Sequence, residues 1–394
     1  MNNRKIFSVT LRQTLTAALF LMLPLLTVQA QTQVSVVATV TTGGQPTGLG
    51  VDPSSNLIYV ANKSGNAVNV IDGTTDTVLT TIPVGSQPVA IAVNRTPRRV
   101  FVANTGDASI SVIDSDTASP TFNPVINTIS LTTVVDVSST ALANLRGIAV
   151  ASAPASMTPP LVFVTRVYVP VPKAGSSAAR LLVIDPANNS IVPVNLQSNA
   201  ENPVVAAFQP SANRIIVGYS SGRQRLSYIA TANNALSNGP DLNAPNHNAI
   251  GVNLWFNKIY VHHRGTNNNA NTPQRVANID GAGTAQTIIG TTTVGTGTGD
   301  IGVAYGRNYV ANGNNGTVSV VDTYCSAPDP NGGGDPVEPC PNPNPNPNPN
   351  QYKVIQTVTV GTTPWGVAVN GSSGKIYVAN SGSGTVSVLA KQQN

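Results

Sequence analysis

The chain has 394 residues, only 9% of them charged, and is rich in Val, Thr, Asn, Gly and Ser, a balance suited to short strands and tight polar turns rather than helices. Its formal charge of +5 falls to +2 without the first thirty residues, where Arg4, Lys5 and Arg12 stand with no acidic neighbour. What remains has no run of Lys and Arg to neutralise a line of phosphates and no basic amphipathic helix for a membrane surface, so charge argues against nucleic acid as a partner.

Residues 1–30 combine the basic start, an apolar run from Leu15 to Val28 and the small-x-small triplet Val28-Gln29-Ala30. This is the pattern of a signal peptide that is removed. The run is shorter than the roughly 20 residues a spanning helix needs, and Pro24 interrupts it. The expected mature chain, 31–394, has no transmembrane segment and is periplasmic, extracellular or attached to the cell surface.

The next feature is a repeat. Gly48-Leu-Gly-Val-Asp52, Leu57-Ile-Tyr-Val-Ala-Asn62, Ala67-Val-Asn-Val-Ile-Asp72 and Thr77-Val-Leu-Thr-Thr-Ile82 are four short strands joined by turn residues, and the unit closes on Val84-Gly85 and Pro88. At about 42 residues it has the size of one propeller blade. Near copies of its second strand end at Asn104, Asn312 and Asn380. Weaker ones are Leu161-Val-Phe-Val-Thr-Arg166, Arg214-Ile-Ile-Val-Gly-Tyr219 and Lys258-Ile-Tyr-Val-His-His263, which makes seven units. The seventh stops after its third strand, Thr385-Val-Ser-Val-Leu389. Residues Val36-Val-Ala-Thr-Val40, with Gly43-Gly44 and Pro46 behind them, match the fourth-strand pattern of Val354-Ile-Gln-Thr-Val358. The prediction is an all-β, seven-bladed β-propeller of four-stranded antiparallel blades, a single domain over 31–394, with the N-terminal strand completing the last blade and closing the ring.

The repeated aromatics Tyr59, Phe101, Tyr309 and Tyr377 and their alanine neighbours are expected to pack between blades. Asn62, Asn104, Asn312 and Asn380 stand where strand meets turn, where Asn bonds its own backbone or takes left-handed geometry. The strand-end acids Asp72, Asp114, Asp185, Asp280 and Asp322 recur at equivalent places and are expected to serve turns. Taken together, the Tyr-Val-Ala-Asn strands, the Val-Ile-Asp strand ends and the Val-Gly-x-x-Pro links resemble the YVTN family of β-propeller repeats over nearly all of residues 34–390. The resemblance is strong in units one, two, six and seven and degenerate in three to five. It implies a secreted or surface-associated protein with a scaffolding, adhesion or recognition role. Related propellers include lactone-hydrolysing enzymes, so the fold alone does not decide between binding and catalysis.

Cys325 and Cys340 bracket an insertion in a chain expected to be exported, so a disulfide between them is expected. It closes a loop of about 15 residues, worth roughly 3 kcal/mol at most. The alternating Pro and Asn of residues 341–350 extend the insertion, which spans about 325–350, as a spacer without ladder hydrogen bonds. Asp329, Asp335 and Glu338 lack the spacing of a calcium loop.

The only histidines, His247, His262 and His263, all fall in unit five and are the candidate metal ligands, although adjacent strand residues point to opposite sides and no Cys or acid completes a zinc set. A surface or turn role is the simpler expectation for them. No Gly-x-Ser-x-Gly elbow occurs, and Gly295-Thr-Gly-Thr-Gly299 lacks the following helix a phosphate loop needs. No catalytic residue and no cofactor is predicted. The leading expectation is a monomeric, non-enzymatic binding or scaffold module that takes a protein or glycan on one rim near blades three to five. The alternatives are a hydrolase or lactonase with a metal in the central channel, and a structural component of the cell surface.

Overall fold

A computed structural model describes residues 33–154, 163–174, 178–197, 202–221, 225–244, 246–253, 257–264, 272–281, 286–297, 299–304, 306–324 and 348–392. Residues 1–30, Cys325, Cys340 and most of the Pro-Asn segment lie outside these.

Seven four-stranded antiparallel sheets follow one another along the chain. Blade one comprises Pro46–Asp52, Leu57–Asn62, Ala67–Asp72 and Thr77–Pro83, and blade two Pro88–Arg95, Arg98–Asn104, Ser109–Asp114 and Val125–Ser130. Blade three comprises Ala149–Pro154, Phe163–Val171, Arg180–Asp185 and Ser190–Asn195, and blade four Pro203–Gln209, Arg214–Tyr219, Arg225–Ala230 and Leu236–Asp241. Blade five comprises His247–Asn253, Lys258–His263, Arg275–Asp280 and Ile288–Thr293, and blade six Ile301–Ala304, Arg307–Asn312, Thr317–Asp322 and Lys353–Thr359. Blade seven joins Pro364–Val369, Ile376–Asn380 and Thr385–Lys391 to the N-terminal strand Val34–Thr41, which pairs antiparallel with Thr385–Lys391. The first strand of each blade lies against the first strands of both neighbours, all the way round. The seven-bladed ring and its closure by the N-terminal strand therefore match the prediction. A single helical turn, Ser139–Leu142, interrupts the link between blades two and three.

The period-2 pattern of the inner strands is apolar on both faces because each blade is covered on both sides. Ile58, Val60 and Ile71 of blade one pack on Tyr377, Val386 and Val388 of blade seven. The alternate residues Tyr59, Val68 and Val70 pack on Val100, Val102 and Ile113 of blade two. A cluster of this kind fills every joint of the ring. The outermost strand of a blade has one face in water, and Thr77–Pro83 accordingly alternates exposed and half-buried residues.

A second contact recurs at four of the joints. Asn104 ends the second strand of blade two and donates from Nδ2 to Ser109 Oγ (3.0 Å) and Ser111 Oγ (2.9 Å) on the third strand. Asn312 and Asn380 make the same pair of bonds in blades six and seven. Each amide lies against the glycine that ends the preceding blade. A Cβ on Gly85 would meet Asn104 Nδ2 at 2.6 Å, one on Gly295 would meet Asn312 Cγ at 2.5 Å, and one on Gly361 would meet Asn380 Cγ at 2.7 Å. At the closing joint Asn62 donates to Gly43 O at 3.0 Å and accepts from the N–H groups of Gln45 (3.2 Å) and Gly65 (3.1 Å). These asparagines thus do not take left-handed geometry. That conformation belongs to Asn56, Asn213 and Asn257 in the turns before second strands, at φ of 55°, 45° and 50°.

The structure also corrects the alignment of unit three. Tyr168 opposes Val183 as Tyr59 opposes Val70, and Arg166 pairs with Asp185 at 3.1 Å at the strand's opening. The strand that matches the repeat is therefore Arg166-Val-Tyr-Val-Pro-Val171, five residues later than Leu161–Arg166. The strand-end acids behave as turn residues: Asp72, Asp185 and Asp322 accept from the N–H two residues on, at 2.8, 3.0 and 3.0 Å.

Gly85→Ala is expected to destabilise the protein by about 1–3 kcal/mol through overpacking, and Asn104→Ala by a similar amount through its lost hydrogen bonds. Because the two residues touch, the double variant should cost clearly less than the sum in a denaturant titration, whereas strict additivity would reject the joint contact.

Candidate functional site

The seven first strands line the channel, and register gives them a common reference in the residue opposite the buried aromatic of the second strand. Gly50 opposes Tyr59, Ala149 opposes Tyr168, Gly251 opposes Tyr260 and Ala368 opposes Tyr377. Three residues before these come Thr47, Arg146, Asn248 and Trp365. The same place holds Val89, Val204 and Gly299 in blades two, four and six, with Asp300 immediately after Gly299. The ring thus brings a cation, an amide, an aromatic and a carboxylate to one level of the channel.

Arg146, Asn248, Asp300 and Trp365 border a single cavity of about 130 Å³ whose apolar wall includes Leu49, Ile91, Ile148 and Ile250. The Arg146 guanidinium lies over the indole of Trp365, its Cζ 4.8 Å from the ring centroid, a cation–π contact from blade three to blade seven. Asp300 is fixed by its N–H, which donates to Trp365 O at 2.7 Å, and by its carboxylate, which accepts from Ile301 N–H at 2.8 Å. Burial raises the Asp300 carboxyl to about 6, while the amides of Ile301 and Val367 and the charge of Arg146 act against the rise. Asp300 and Arg146 keep some contact with channel water, but the surrounding blades remove most of it. Burial, aided by repulsion from Arg264, lowers Arg146 to about 10, so it remains a cation at neutral pH. Arg264 follows the second strand of blade five, beside Gln274, whose Oε1 accepts from Asn248 Nδ2 at 3.1 Å.

The three histidines are buried, which overturns the surface or turn role expected of them. His247 and His263 face each other across the first two strands of blade five. His247 accepts from Tyr219 N–H through Nδ1 (3.1 Å), which leaves Nε2 to donate to Ala244 O (3.0 Å). His262 points the other way and bonds Gly299 O through Nδ1 at 2.7 Å. The strand thus separates the candidate metal ligands, and among the described residues no three of His, Cys, Asp and Glu gather as a metal set. Gly295 packs on Asn312 and Gly299 on Ala311, so these two glycines serve the joint between blades five and six. Asp329, Asp335 and Glu338 lie outside the described residues.

Sequence reasoning did not single out Arg146, Arg264, Asp300 or Trp365. For Arg146, Asp300 and Trp365 the available signal was departure from the repeat at the start of a first strand, which needed unit three in its correct register, and Arg264, after a second strand, carried no such signal.

Residues 22–134 match a model of the lactonase seven-bladed β-propeller family, and residues 362–389 a model of the NHL repeat. No curated protein matches the chain. Among solved structures, hydrazine synthase of Kuenenia stuttgartiensis is similar with a TM-score of 0.64 and 17% identity, over 89% of this chain and 96% of that one. That likeness is one of fold. Together with the seven blades described above, these matches make the chain a β-propeller repeat protein.

Burial holds His262 at about 4 and His263 at about 3, so both stay neutral in the folded state well below the ordinary value of 6.5. As pH falls below 6.5 the unfolded chain takes up protons that the folded chain refuses, so stability is full above 6.5 and is lost progressively toward pH 4. For His262 the loss is on the order of 3 kcal/mol. Denaturant midpoints measured from pH 7 to 4 should fall for the wild type and fall less for His262→Gln.

Proposed function

We propose that this chain is an exported, non-enzymatic β-propeller of the YVTN type that binds its ligand at the mouth of the channel, where the links between blades meet the turns after the second strands. The observation that carries this reading is the convergence of Arg146, Asn248, Asp300 and Trp365, each a break in the repeat, on one cavity. Packing between blades accounts for the repeated residues. It does not call for a cation stacked on an indole in the channel. Polar groups that converge on a partly apolar hollow are the usual form of a small-molecule or side-chain receptor. A protein side chain or a glycan presented at this rim meets Trp365 and Arg146 together.

A lactone hydrolase is the second reading, favoured by the lactonase family match over 22–134 and by a carboxyl near 6 inside the cavity, a value suited to a general base. Wild-type protein should bind at least one glycan or peptide of an array, and Trp365→Ala should bind it at least tenfold more weakly. Lactone turnover that falls by about 10²-fold or more in Asp300→Asn would replace the binding reading with the catalytic one. Export and the Cys325–Cys340 disulfide are checked together by the intact mass of protein purified from the periplasm or medium. The expected chain begins at Gln31 and takes up alkylating reagent only after reduction.

A further inference from the structure

We propose that the channel mouth is an anion site in which Arg146 and Arg264 hold the carboxylate of a short organic monocarboxylate. This deepens, and rests on, the reading of the mouth as the ligand site. The two guanidiniums stand close enough for the charge of Arg264 to depress Arg146. Among the described residues neither lies within ion-pair distance of a carboxylate, in contrast to Arg99, Arg166, Arg225, Lys258 and Lys375. Two like charges held together inside a ring are unfavourable unless an anion comes between them.

The hydrogen-bond inventory points the same way. Arg264 Nε and Gln274 Nε2 are buried and have no hydrogen-bond partner among the described residues, and Gln274 is fully buried. Its oxygen is held by Asn248, a residue of the cavity wall. Behind the Asn248 wall of the cavity there are therefore donors without acceptors, the arrangement that an acceptor-only carboxylate completes. Stacking on Trp365 occupies one face of the Arg146 guanidinium and leaves its N–H edge for a bidentate bond.

Size and lining narrow the ligand. About 130 Å³ corresponds to roughly four water molecules at about 30 Å³ each, which admits a two- to four-carbon acid. Leu49, Ile91, Ile148 and Ile250 give its carbon skeleton an apolar wall, which a bare inorganic oxyanion does not use. Asp300 sets the charge. Two arginines and one carboxylate leave room for a single negative charge, so a dianion is disfavoured.

The test is calorimetric titration of the mature protein with propionate, against inorganic phosphate and glucose, for wild type, Arg146→Gln and Arg264→Gln, with a melting curve to verify folding. The expected result is one propionate site, at least tenfold weaker in each variant and at least tenfold weaker for phosphate. Binding should tighten as pH falls from 8 to 5.5, where Asp300 takes up a proton while Arg146 stays charged and His262 stays neutral. If Arg146→Gln does not fold, Arg264→Gln decides alone. A wild type silent to propionate, phosphate bound as tightly, or propionate binding unchanged in the folded variants overturns the anion site. The array result with Trp365→Ala is a separate readout: an array ligand lost in that variant, with wild type silent to propionate, rejects the anion site and leaves the channel-mouth reading standing.

Discussion

The ring depends on the contact between a glycine at the end of one blade and an asparagine amide in the next. Only a residue without a Cβ lets the link come this close, because a methyl group on Gly85, Gly295 or Gly361 would sit within 2.7 Å of the amide. The asparagine in turn reaches the third strand of its own blade through Ser111, Ser319 or Ser387, so one side chain joins a link, a second strand and a third strand. At the closing joint the polypeptide's two ends depend on the same device. Asn62 grips the link that follows Val34–Thr41, the strand supplied from the N-terminal side to the last blade. The Val-Gly-x-x-Pro and Tyr-Val-Ala-Asn patterns recur together because they are the two halves of one contact.

The irregular blades solve the same joint with other chemistry. Val171 stands in the asparagine's place in blade three and adds to the apolar cluster against blade two. In blade four Tyr219 takes the place, and its hydroxyl reaches Ser227 at 2.5 Å, the serine that an asparagine amide would have met. In blade five the place belongs to His263, packed against His247. Degeneracy in the repeat is therefore substitution at a fixed joint and not looseness of the fold. It also accounts for the buried His263, which burial at the joint holds neutral by disfavouring an imidazolium.

Regular packing elsewhere is what allows irregularity at the channel. Each blade buries its second and third strands on both sides, and the first strands need only small residues where they crowd together, such as Gly48, Ala90 and Gly147. The neighbouring position faces less constraint and can hold Arg146, Asn248 or Trp365. No blade makes the cavity alone: the cation comes from blade three, the indole from blade seven and the carboxylate from the opening of blade six.

Blade number, strand order and closure were legible in the amino-acid sequence because they follow from local, repeated signals: period-2 apolar strands, turn residues at fixed offsets and a fourth strand displaced to the N-terminus. The same signals failed in unit three, where Leu161–Arg166 resembled the strand that Arg166–Val171 forms, because two adjacent apolar runs satisfy one pattern and only pairing with Arg180–Asp185 chooses between them. The histidines were visible but misplaced, since burial at a joint leaves no mark in a His-His pair. The sequence alone determined the ring. The tertiary structure alone decided the mouth, because Arg146, Asn248, Arg264, Asp300 and Trp365 share no motif and meet only through space once seven first strands have closed around a common axis.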